Sequence, residues 1–328
     1  MVMSFAPLSP DLQISFYSRL RTVRSLYLHD ALRSTLEAAD LDLGLVDAEL
    51  REFADRSTLR RLAAHGIRGE VFFPVPYLLG RNPFLLGYYR LLLGFSQKAF
   101  YGQGPFGKFG GMEETGKVRA GIESALPTLC ASLAVSVSVL VSEIDPIHQG
   151  IVHELQLLTL GPQFRGGNNN DIGRKAMERL RGLLVGMIAP YKPVMAGHSM
   201  AFQNDSGLTC HVRFASDPDV TFTQELGGQK RHLLAIELKG GKDISNVWNR
   251  LGEAEKSHLS AHKVAFNERW TVLNVDVVSG LETLLTAKEK SSSTTRFFFL
   301  EKILDKTSDE GKNFREVLGS ILGARLDG

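Results

Sequence analysis

The sequence predicts an α/β protein in which a mixed sheet follows a large helical N-terminal region. Three observations carry this. The first half repeats apolar residues every three or four positions, the period of an amphipathic helix. Residues 208–239 instead hold short apolar runs that alternate every two, the period of a strand. A helical pattern at 246–262 then precedes a further strand-like run at 270–278. With 328 residues the chain has room for one large domain or two ordinary ones, burying roughly 75% of its unfolded surface. A composition 43% hydrophobic and 23% charged excludes disorder, collagen and coiled coil. The formal net charge of +2 excludes a protein basic all over but leaves room for a local basic surface.

Residues 11–65 read as helical. Leu12, Phe16, Leu20, Val23 and Tyr27 form one stripe, with the Tyr27 hydroxyl at its edge. Leu50, Phe53, Leu59 and Leu62 form a second after Asp47. In VFFPVPYLL, Pro74 and Pro76 break regular structure. Residues 83–100 read as one mostly buried helix, and the glycine-rich 102–111 as a flexible loop that can approach a ligand. Residues 117–142 are apolar again, helix first and then helix or strand. Gly161 to Asp171 reads as a polar break, with Asn170 and Asp171 capping the helix that follows. The expected divisions are 1–164, mainly helical, for recognition and dimerisation; 165–290, the sheet-bearing core; and 291–328, a helical extension with one helix over 297–322.

In the second half, 208–214, 219–226 and 232–239 are strand candidates, with a turn at Gly227–Lys230. Val247, Leu251, Ala254, His258 and Ala261 make the inner stripe of the helix at 246–262. Ser245 or Asn246 is its expected cap. Only Cys130 and Cys210 are present, so a disulfide framework is not expected and a reducing compartment is. The N-terminus lacks a basic segment followed by a long apolar run, and the most apolar stretches read as core. The expectation is a soluble intracellular protein with no membrane contact.

Asp219, Glu237 and Lys239 are the most informative residues. Asp219 stands in Asp217-Pro218-Asp219-Val220 at the start of one strand; Glu237 and Lys239 stand two apart at the end of the next. Period two places Glu237 and Lys239 on one face, and a hairpin would bring Asp219 beside Glu237. Two carboxylates so placed can hold Mg2+ through oxygen and leave positions for water and a phosphate. A nearby lysine can position the attacking water and meet phosphate charge. The bland reading is a strand start beside an ion pair of Glu237 with Lys239 or Lys242.

This text resembles the PD-(D/E)xK nuclease core. With KGGKDISNVWNR, LLGYYRLLLGFSQKAFYG (85–102) and RGEVFFPVP (68–76), it is similar to the XcyI family of type II restriction endonucleases over most of the chain. The resemblance implies a restriction-endonuclease-like fold and a Mg2+-dependent type II site-specific deoxyribonuclease, with metal on Asp219 and Glu237 and the lysine role on Lys239. It implies a homodimer acting on double-stranded DNA at CCCGGG, cut after the first C to leave four-base 5′ overhangs. It further implies a prokaryotic cytoplasm and a cognate DNA methyltransferase that does not bind stably. Glu178 is the candidate for an additional catalytic acid, against an ion pair with Arg174 or Arg181; Glu70, Glu113 and Glu114 are weaker rivals.

Positive side chains cluster despite the balanced total. Arg165, Arg174, Lys242, Asn249, Arg250 and Lys108 are the expected DNA contacts, with Arg81, Arg90 and Lys98 further candidates for reading guanine. Tyr88 and Tyr89 read as core. The residues alone leave open a repair or junction-resolving nuclease on the same core, and a non-catalytic DNA-binding protein.

Overall fold

The structure, a computed structural model, describes residues 10–102, 106–242, 247–275 and 291–326. The chain divides into two compact units, Met1–Asn168 and Asn169–Gly328.

The first unit is helical: α1 Asp11–Tyr27, α2 His29–Leu36, α3 Leu43–Phe53, α4 Arg56–Ala64, α5 Pro76–Arg81, α6 Leu85–Leu92, α7 Gly110–Thr115, α8 Leu126–Glu143 and the start of α9, Gln149–Ile188. Asp42 and Asp55 start α3 and α4 by accepting from Leu45 N at 3.1 Å and Thr58 N at 2.8 Å. Pro76 opens α5 at its first turn, where a missing N–H costs nothing. The single helix expected over 83–100 is not formed. α6 ends at Leu92, and Gly94 takes φ +81°, a left-handed conformation glycine adopts without strain. Every residue of α6 is buried, and the Tyr88 and Tyr89 hydroxyls donate to the carbonyls of Val71 and Glu70, each at 2.8 Å. Arg90 is buried too, paired with Glu113 at 2.6 Å, so it does not read bases; Arg81 pairs with Asp40. Of the residues predicted to form a loop at 102–111, 103–105 lie outside the described residues, and Phe109 and Gly110 are buried.

The stretch 117–142, open between helix and strand, resolves into α8. Glu123–Glu143 is long and apolar enough to cross a membrane by length and composition, with mean hydropathy 1.9. Leu126, Leu129, Cys130, Leu133, Ala134, Val137 and Val141 are nevertheless buried against the unit's core. The predicted break at 161–171 is absent: α9 runs straight through it, Pro162 included, and Asn170 and Asp171 lie inside the helix rather than at its cap. Val152, Gln156, Leu160 and Phe164, then Ala176, Leu180, Leu184 and Ile188, keep one four-residue phase on both sides. Packing of these flanks overrides the poor helix propensity of the middle.

The second unit carries a seven-stranded mixed sheet in sequential order: β1 Val194–Ala196, β2 Ser199–Gln203, β3 Thr209–Phe214, β4 Val220–Leu226, β5 Gln229–Lys239, β6 Glu268–Leu273 and β7 Arg296–Phe299. β1 to β5 form an antiparallel meander; β5–β6 and β6–β7 are parallel. The crossover between β5 and β6 contains α10, Val247–Lys263, as a parallel pair requires. One face of the sheet packs Leu234, Ile236, Leu238, Val220 and Val212 against the end of α9 and the C-terminal α12, Asp309–Leu322. Trp270, fully buried, meets the rings of Phe298 and Phe314 in this core. Ala235 turns the other way, onto Ala261 of α10. The helix predicted over 297–322 is instead β7, a short α11 (Leu300–Leu304) and α12. The expected strand at 270–278 starts at Glu268, and its residues 276–278 lie outside the described residues, as do Ser245 and Asn246.

Candidate active site

The hairpin of β4 and β5 pairs Val220 with Ile236, which sets Asp219 beside Glu237. Because β4 starts at Val220, no strand backbone meets Leu238 on that side. The Asp219 carboxylate takes the vacant place, its Oδ2 accepting from Leu238 N at 2.7 Å. The turn before it is closed by Ala215 N donating to Asp219 O at 3.0 Å. Burial pushes the Asp219 pKa up to about 7, the nearby Glu237 charge adding to the rise. The Leu238 N–H and Lys239 oppose that rise, and Asp217 adds to it.

Glu237 and Lys239 share the β5 face that looks onto α10. Glu237 is only 6% exposed, a position where a carboxylate needs partners. Its Oε1 accepts from Lys239 Nζ at 2.9 Å, and its Oε2 lies 2.9 Å from Ser257 Oγ on α10. Ser257 Oγ also reaches Asp217 Oδ1 at 2.6 Å. Lys239 Nζ stands 3.7 Å from the exposed Glu253. The Lys239 ammonium therefore lies within ion-pair reach of two carboxylates, those of Glu237 and Glu253. The end of β5 is held by Asn274, whose N donates to Lys239 O at 3.0 Å and whose Nδ2 donates to Gly240 O at 2.6 Å. Glycine is required at 240: a Cβ there would sit 2.6 Å from Gly173 Cα on α9.

Asp219, Glu237 and Lys239 are thus brought together. Glu178 is not: it lies exposed on α9 and accepts from Arg174 Nη1 at 2.7 Å, the ion pair that was its bland reading. Glu70 and Glu113 are buried in pairs with Arg68 and Arg90 of the first unit. Lys242 is exposed just past β5, and Asn249 is exposed in the first turn of α10. Arg250 lays its guanidinium over Gly241, where a Cβ would come within 2.2 Å of Cζ. Arg165 and Lys108 are exposed on the first unit, Lys108 with its Nζ 5.1 Å from the Phe109 ring centroid. Sequence reasoning missed Ser257 and Asp217. Ser257 was legible as a polar residue one position from the His258 of the inner stripe, and Asp217 as the first acid of Asp-Pro-Asp.

A mixed sheet with Pro-Asp before one strand and Glu-Leu-Lys closing its antiparallel neighbour defines the PD-(D/E)xK nuclease class. The family model of the XcyI restriction endonucleases matches residues 17–325. The type II restriction enzyme XcyI of Xanthomonas campestris pv. cyanopsidis is 37% identical over 318 residues, covering 95% of this chain and 94% of its own. The type II restriction enzyme Cfr9I of Citrobacter freundii is 35% identical over 318 residues with the same coverage. The chain belongs to the XcyI restriction endonuclease family.

Proposed function

We propose that this protein is a type II site-specific deoxyribonuclease, a homodimer that hydrolyses phosphodiesters of double-stranded DNA with Mg2+. The observation that carries the reading is the convergence of Asp219, Glu237 and Lys239 at the end of β5. Near-full-length similarity to two named type II restriction enzymes supports it. The site CCCGGG, cut after the first C, follows from the family resemblance. So do a prokaryotic cytoplasm and a separate methyltransferase. A two-fold symmetric protein suits a palindrome, one subunit cutting each strand.

The donor set fits a hard divalent cation: two neighbouring carboxylates, with the Asp219 pKa raised first by burial and then by the Glu237 charge, a cost that a cation would relieve. Among the described residues no group of three His, Cys, Asp or Glu side chains forms a closed cage. Asp219 and Glu237 would hold the ion with water and phosphate oxygens completing its shell. Bound there, Mg2+ supplies the charge that eases deprotonation of water and offsets charge on the phosphate. Leu238 N–H fixes the Asp219 carboxylate and Ser257 meets that of Glu237. Lys239, held against Glu237, orients the attacking water and meets the anionic phosphate. Glu178 is paired with Arg174 on the exposed face of α9 and stands outside this set. Lys242, Asn249, Arg250, Arg174, Arg165 and Lys108 are assigned to phosphate and groove contacts.

The test is substitution of Asp219 or Glu237 by Ala. Mg2+-dependent cleavage should vanish while binding to a CCCGGG duplex stays measurable. Wild-type protein that binds DNA but cuts nothing with Mg2+ or Mn2+ would replace this reading by a non-catalytic DNA-binding role.

A further inference from the structure

Ser257 sits on the inner face of α10 between Ala254 and Ala261, 7% exposed. Its hydroxyl touches both Glu237, at 2.9 Å, and Asp217, at 2.6 Å. A hydroxyl carries one hydrogen, and an ionised carboxylate only accepts. Ser257 therefore donates to one of the two carboxylates at a time. When it donates to Asp217, Glu237 Oε2 has no other donor among the described residues, while Lys239 still holds Oε1. Asp217 thus acts as an alternative acceptor that lets the serine give up Glu237 without being left unpaired.

Among the described residues, the other hydrogen-bond partner of Glu237 is Lys239. Lys239 can also pair with Glu253, 3.7 Å away, so the Lys239 contact alone does not fix the Glu237 carboxylate. α10 is itself fixed behind the serine by His258, fully buried, whose Nε2 meets Thr271 Oγ1 of β6 at 2.9 Å. The hydroxyl is thereby delivered from a rigid element.

We propose that Ser257 is a positioning residue that sets the Glu237 carboxylate for a divalent cation, and that Asp217 is the acceptor that lets it do so. The inference rests on the proposed function, because it needs Glu237 to be a metal ligand.

The experiment measures Mn2+ binding to the full-length, DNA-free protein by electron paramagnetic resonance, beside cleavage against MgCl2 concentration. Ser257→Ala should weaken Mn2+ binding about tenfold, the lower end for loss of a partner that orients a metal ligand. The MgCl2 needed for half-maximal cleavage should rise by the same factor, and saturating MgCl2 should restore most of the rate. Ser257→Thr, which keeps the hydroxyl, should recover the affinity. Asp217→Ala, which removes the acceptor at an exposed position where folding is not at stake, should shift both readouts in the same direction as Ser257→Ala. Thermal melting without metal checks that each variant folds. Unchanged Mn2+ affinity in either Ser257→Ala or Asp217→Ala would overturn the inference and leave the nuclease reading intact. A rate lost equally at every MgCl2 concentration with normal Mn2+ binding would do the same. Wild-type protein that binds no Mn2+ and cuts no DNA would overturn both.

Discussion

Asp219→Asn isolates the electrostatic cost built into the site. The amide oxygen can still accept from Leu238 N, which reaches Oδ2 at 2.7 Å in the native chain, so the substitution removes charge and little else. In the folded protein the Asp219 pKa is raised from 3.8 to about 7. The folded form therefore keeps a proton that the unfolded chain releases, and stability falls as pH rises from about 4 through about 7. That interval corresponds to a ceiling of about 4 kcal/mol above pH 8. Solvent reaches part of the site, which brings the working figure to about 2 kcal/mol. In EDTA at pH 8.5, Asp219→Asn should raise the unfolding free energy by that amount, read from the urea midpoint at constant slope. At pH 5 the gain should shrink below about 1 kcal/mol, because the native carboxyl is then protonated. Adding MgCl2 at pH 8.5 should stabilise the native chain and not the variant. A variant that is less stable than the native chain at pH 8.5, or equally stabilised at both pH values, would refute the reasoning.

Arg90→Met should destabilise the first unit by about 3–5 kcal/mol, since it strands the buried Glu113 carboxylate, and urea unfolding would show it; a loss under 1 kcal/mol would contradict the burial argument. Gly240→Ala should cost about 1–3 kcal/mol in thermal unfolding and lower the cleavage rate, because its Cβ pushes the end of β5 off Gly173; native stability and rate together would count against it. Glu178→Gln should leave initial cleavage rates within about twofold, since it breaks only an exposed i,i+4 pair worth about 0.3–0.5 kcal/mol; a loss of a hundredfold would restore Glu178 to the catalytic set.

The β4–β5 hairpin was legible because its large apolar residues, Val220 and Phe222 on one strand and Leu234, Ile236 and Leu238 on the other, recur every second position in the sequence although β5 is buried on both faces, and period two puts Glu237 and Lys239 on one face. The buried Tyr88 and Tyr89 were legible from the leucines around them. β1 was not, since all three of its residues are exposed and no burial pattern marks it. β7 was read into a helix because Phe297, Phe298 and Phe299 are buried without alternation, which a short run cannot distinguish from a helix. The unbroken α9 was hidden by Pro162 and the asparagines, whose local preferences lose to the packing on either side. Ser257 escaped notice because its place beside His258 marks only a polar side chain near the inner stripe of α10; its link to Glu237 and Asp217 comes from the packing of α10 on β5.

The central claim is that the end of β5 cuts DNA at a defined palindrome. The most direct test is digestion of a linear duplex of known sequence, carrying a single CCCGGG, by the purified protein with MgCl2, with the new ends of both strands mapped. The account predicts one cut in each strand after the first C, four-base 5′ overhangs, and no product in EDTA. Cleavage that needs a branch or lesion, cuts scattered over the sequence, or none with either Mg2+ or Mn2+ would contradict it.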